Sequence, residues 1–223
     1  MNYDRIVIAN RGTEGFIDPD GAADFRQAMG LDARQYTDAI KLAEKVHDVF
    51  GDNYTITTTG HSLGGGLASV QALFLGSTAN TFNAAGVHPD TLERYGIDPQ
   101  SAETSIHAYY VDGDVLSTIQ DSPLPDIGMG LGMSIPKLFL EIIDEYQDPD
   151  AHDFNMGIAY VPEALGQRTK LPAVSVQPHA GRVSYDRKLS SFEKMRQSVS
   201  LHGIRNAIAS LQYSIDHPEL YKK

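Results

Sequence analysis

Short apolar runs alternate with amphipathic stretches through the first half of the chain. Arg5-Ile6-Val7-Ile8-Ala9 is nearly continuous in apolar residues, as in a strand buried within a mostly parallel sheet. It stops at Asn10-Arg11-Gly12-Thr13-Glu14-Gly15, a turn-rich stretch where such sheets place ligand-binding loops. Asp18-Pro19-Asp20-Gly21 reads as loop. From an N-cap at Asp32, Tyr36, Ile40, Ala43, Val46 and Phe50 recur at three-to-four spacing. Lys41, Glu44, Lys45 and Asp48 lie opposite them, which predicts a helix through Phe50. A β-branched run from Thr55 follows, then a small-residue helix bearing Leu67, Val70, Leu73 and Phe74. Strands are predicted at Thr81–Gly86, Thr104–Val111 and Leu171–Val176, with a short helix over Thr91–Tyr95 capped by Asp90. Strands alternating with helices predict an α/β fold with a mostly parallel sheet wrapped by helices.

The pattern loosens from Ser122 to Pro178. Gly128-Met129-Gly130-Leu131-Gly132-Met133 is apolar and glycine-spaced, and a helix runs from Ser134 and Pro136 to Tyr146. This stretch reads either as a mobile lid or insert within 122–160 or as an ordinary helix packed on the sheet. Near the end, Ile204, Ala207, Ile208 and Leu211 form a helical stripe just after His202. No repeat or domain boundary interrupts the chain, so one domain over 1–223 is expected.

Composition narrows the class. The 223 residues are 41% hydrophobic and carry a net charge of −11, with no cysteine. An acidic chain is a poor partner for nucleic acid, which needs clustered Lys and Arg. Disulfides and cysteine-ligated zinc are excluded. Asp144, Glu145, Asp148, Asp150 and Asp153 have the oxygen ligands Ca²⁺ takes but lack EF-hand spacing, so they read as a solvated linker, and no metal or cofactor is expected. The first residues show no signal peptide and no apolar run is long enough to span a membrane, so the expected location is the cytoplasm, or outside it by a signal-peptide-independent route.

The candidate chemistry centres on Gly60-His61-Ser62-Leu63-Gly64, a G-x-S-x-G elbow between a strand and a helix. Ser62 is the candidate nucleophile. It needs a histidine base and an orienting acid, which follow in the order Ser, Asp, His in such hydrolases. Asp114 is the favoured acid, because Asp112-Gly113 forms a tight turn that throws the next side chain inward; Asp112 stays open. Glu141 and Asp153 are outsiders. His202, at the start of a late helix, is the favoured base, ahead of His179 and His152. His107 lies in a strand, and His61 is too tightly bound to the elbow to act as base. The oxyanion hole would take the N–H of Leu63 and a donor from Thr13.

Several stretches together resemble the class 3 (fungal-type) lipases of the α/β-hydrolase fold and their bacterial relatives. Ile6–Thr13 is similar to that family's apolar strand and Arg-Gly-Thr, Gly60–Gly65 to its Gly-His-Ser-Leu-Gly-Gly elbow, and Thr81–Gly86 to its next strand. The resemblance implies a serine lipase or phospholipase with Ser62, Asp114 and His202 as triad and Thr13 at the oxyanion hole. It also implies transient contact with a membrane surface. The family carries further residues before the Arg-Gly-Thr strand. The sheet edge is therefore bare, or covered by the partner copy of a homodimer, or the chain is an N-terminally truncated piece of a longer protein. Some bacterial relatives are phospholipases delivered as toxins, which implies an inhibitor or immunity partner. Two other readings remain: a carboxylesterase or thioesterase for soluble substrates, and a non-catalytic ligand-binding module.

Overall fold

A computed structural model describes residues 4–12, 33–121, 162–174 and 191–221. Five strands, β1 (Arg5–Asn10), β2 (Thr55–His61), β3 (Thr78–Phe82), β4 (Ile106–Val111) and β5 (Gln167–Leu171), form one sheet. They pair in chain order and all run parallel. Such pairing puts every strand's C-terminus at the same edge, where α/β sheets assemble their sites.

Alternation along the strands sends successive side chains to opposite faces. Ile8 and Ile56 point to the face covered by helix α1 (Ala33–Phe50), where they pack with Ala43. Helix α2 (Leu63–Leu75) lies beside α1. Its Val70 joins Tyr36 and Ile40 of α1 in a buried cluster with Val87, Leu92 and Ile97. Buried Gln71 stitches the layers: its amide donates to Ala39 O at 2.7 Å and accepts from Asn10 Nδ2 at 2.6 Å. Two short helices, α3 (Pro89–Arg94) and α4 (Ala102–Ser105), lead into β4. The other face receives helices α6 (Ser191–His202) and α7 (Ile204–Asp216), seated by Val111, Ala173, Leu201 and Ala207. A further helix, α5 (Val115–Asp121), begins right after the β4 turn.

The predicted β1, α1, β2 and α2 coincide with observed elements. Others differ. The third strand is Thr78–Phe82 rather than 81–86, because the chain turns at Asn83, whose φ is 42°. The fourth begins at Ile106, since 102–105 are helical. The fifth is Gln167–Leu171, ahead of the predicted run. The short helix starts at Pro89 and is capped by His88, whose Nδ1 accepts from Asp90 N at 3.2 Å. Helices α5 and α6 had no counterpart in the sequence reading. The lid or insert at 122–160, including the glycine-spaced run and its helix, lies outside the described residues, as does the acidic linker.

Candidate active site

Ser62 is the single residue between β2 and α2, at φ 57° and ψ −129°, a conformation that few non-glycine residues adopt. Backbone hydrogen bonds enforce it. Ser62 N donates to Phe82 O at 3.1 Å, and Ser62 O accepts from Gly65 N at 2.9 Å and Ala85 N at 3.0 Å. The turn is so tight that a side chain on Gly60 would run into Gly64 O. The loop after β1 is equally close, since a Cβ on Gly12 would sit 2.6 Å from His61 O and 3.2 Å from Ser62 Cβ.

Ser62, Asp114 and His202 come together from three separate strand and helix ends. His202 Nδ1 lies 2.7 Å from Asp114 Oδ1, and His202 Nε2 lies 2.9 Å from Ser62 Oγ. A carboxylate only accepts, so Nδ1 carries the proton and Nε2 accepts from the serine hydroxyl. All three are buried. Asp114 is the N-cap of α5: its Oδ2 accepts from Ser117 N at 2.8 Å and Ser117 Oγ at 2.9 Å. With His202 that makes three donors on one carboxylate. Asp112 points elsewhere, into a surface pair with Lys170 Nζ at 3.3 Å.

His202 is the last residue of α6, and Gly203 then caps α7. The late helix expected just after His202 is α7, and a second helix, α6, ends at His202 itself. His61 is tied to the His202 backbone. Its Nε2 reaches His202 O at 2.6 Å, and since that carbonyl only accepts, Nε2 carries the proton. Its ring lies 5.0 Å from that of His202 between centroids, tilted by 45°. Burial, then the neighbouring His202, pushes the His61 pKa down from 6.5 to about 4. His107 is exposed on β4.

Leu63 opens α2, where a helical N–H lacks an intrahelical partner. Thr13, His179, His152, Glu141 and Asp153 lie outside the described residues. Among the described residues no His, Asp or Glu cluster is built to hold a metal, and no helix is long and apolar enough to cross a membrane. A trough of about 530 Å³ runs between the α7 face of the sheet and α7, lined by Ala9, His61, Phe82, Ile204, Ile208 and Leu211. Ser117 and this trough were missed in the sequence. Ser117 had a signal, an Asp followed three residues later by a hydroxyl side chain at a helix start; the trough had none, because it joins residues about two hundred positions apart.

Residues 1–177 match a phospholipase-like family profile, described as a Tle-like phospholipase domain. A curated relative, an extracellular phospholipase A1 of Serratia liquefaciens, is 42% identical over 132 residues. That alignment covers 56% of this chain and 40% of the relative, so the chain spans well under half of that relative's length. Ser62 and Asp114 fall within the profile match and His202 falls beyond it.

Proposed function

The chain belongs to the family of Tle-like phospholipase domains, and from that premise we propose that it hydrolyses acyl esters of phospholipids with Ser62, His202 and Asp114 as its triad. Ser62 Oγ attacks the ester carbonyl while His202 Nε2 takes the hydroxyl proton. Asp114 holds the ring in that tautomer and stabilises the imidazolium. The same proton passes to the leaving glycerol oxygen, and an acyl-enzyme remains on Ser62. Water, deprotonated by His202, then releases the fatty acid. Leu63 N–H and Thr13 are the oxyanion donors in this reading, supported for Thr13 by the close approach of neighbouring Gly12 to Ser62.

The observation that carries the proposal is the unbroken hydrogen-bond chain from buried Asp114 through His202 to Ser62 Oγ. The apolar trough beside His61 supports an acyl substrate. The Arg-Gly-Thr and Gly-His-Ser-Leu-Gly-Gly stretches support a kinship with class 3 lipases as the finer assignment. The name of the Serratia relative supports cleavage of the A1 type outside the producing cell.

The test pairs the purified protein with Ser62→Ala on phosphatidylcholine vesicles and on p-nitrophenyl esters of increasing chain length. The variant is expected to fold and to lose about 10⁴-fold or more of the rate. A folded variant with wild-type rates overturns the triad. Turnover of short soluble esters with no release of fatty acid from vesicles would move the protein to the carboxylesterase or thioesterase class.

A further inference from the structure

We propose that Asn83 is a positioning residue that sets the acid and the base of the site against each other through one side-chain amide. The proposal rests on the triad reading above. Asn83 is fully buried and follows the last residue of β3. Strand β4 continues two residues past the last β3–β4 pair, Phe82 with Tyr109, so the Val111 N–H has outrun its strand neighbour. Asn83 Oδ1 takes that donor at 2.8 Å. The Nδ2 group reaches the carbonyls of Leu201 at 3.2 Å and His202 at 3.3 Å.

Those two carbonyls are the last of α6, where a helix leaves its C=O groups without intrahelical partners. Val111 is three residues before Asp114, at the end of the strand that delivers it. One amide thus closes both loose ends: its oxygen anchors the strand that delivers the acid, and its nitrogen anchors the helix that delivers the base. The orientation is unambiguous, since an N–H on one side and two carbonyls on the other admit only one way round. His61 supplies a second donor to His202 O from the elbow itself. Asn83 touches no part of Ser62, His202 or Asp114 that reacts, so its effect passes through backbone placement.

Asn83 also sits at φ 42°, so a conformational role must be separated from the hydrogen-bonding one. Asn83→Gly accepts that backbone conformation without strain and deletes the amide. Asn83→Asp keeps the shape and the acceptor for Val111 N–H but removes the donors to α6. Each variant is compared with wild type in kcat and KM on a p-nitrophenyl ester, in thermal midpoint, and in the rate at which a fluorophosphonate labels Ser62. Both variants are expected to fold and to lose about 10²-fold in kcat and in labelling rate with KM within twofold, the size of a misplaced catalytic group. Wild-type kcat and labelling in either folded variant overturns the proposal. So does loss of the fold in both, since Asn83 would then hold the molecule together rather than align the site. Failure of wild-type Ser62 to label is a different result and overturns the triad reading instead.

Discussion

His61 is the residue of the elbow whose protonation the fold controls most tightly. Its N–H is committed to His202 O at 2.6 Å, and burial together with His202 holds its pKa near 4 instead of 6.5. The folded pKa is thus below the unfolded one, so between about pH 6.5 and pH 4 the unfolded chain binds the extra proton. Stability carried by neutral His61 is complete above that window and is lost as the pH falls through it. The full effect is on the order of 3 kcal/mol. Denaturant midpoints measured from pH 7.5 to 4 should therefore fall more steeply for wild type than for His61→Gln, whose amide donates without titrating. Parallel curves would show that His61 charges freely in the fold. The crowding of the elbow around His61 was readable from the glycines of the motif. Its hold on the His202 carbonyl was not, because His202 is 141 positions away.

At the scale of elements, the turn from β4 into α5 decides between two acids. Gly113, at φ 77°, separates Asp112 on the surface from Asp114 at the buried N-cap. Asp114→Asn is expected to lower kcat by about 10⁴, as for other triad carboxylates. Asp112→Asn should leave kcat unchanged and alter stability by no more than about 1 kcal/mol, since its pair with Lys170 is exposed. Rate measurements on the two variants check this, and a large loss on Asp112→Asn would reverse the assignment. The sequence placed both acids correctly at a strand end. It did not show α5, because Val115–Asp121 is two turns long with three β-branched residues and no clear apolar stripe. Helix α6 was equally hidden: Ser191–His202 is mostly polar, and among its described side chains Ser198, Leu201 and His202 are buried. Tertiary contacts, not periodicity, make both elements. The long amphipathic α1 and the β2–α2 elbow were legible because periodicity and glycine placement each sufficed locally.

Across the whole molecule, the two sheet faces have different uses. One is sealed by α1 and α2 through Ile8, Ile56 and Val70. The other meets α7 across the trough that begins beside the elbow. Its walls come from β1, β2, β3 and α7, so it exists only once the register of three parallel strands and the seat of the last helix are set. Ile208 lines it and is 60% exposed, so changing it should cost the fold little. If the trough takes the acyl chain, each methylene laid in it is worth about 0.8 kcal/mol, and a charge at Ile208 removes that gain only for chains long enough to reach α7. Ile208→Glu is therefore expected to keep kcat/KM on acetyl and butyryl p-nitrophenyl esters and to lose about tenfold or more on palmitoyl esters, the equivalent of two methylenes. A chain-length series with both proteins measures this. An equal loss at every length would mean that Ile208 acts on the triad through α7 rather than on the substrate, and would place the acyl chain on another part of the molecule.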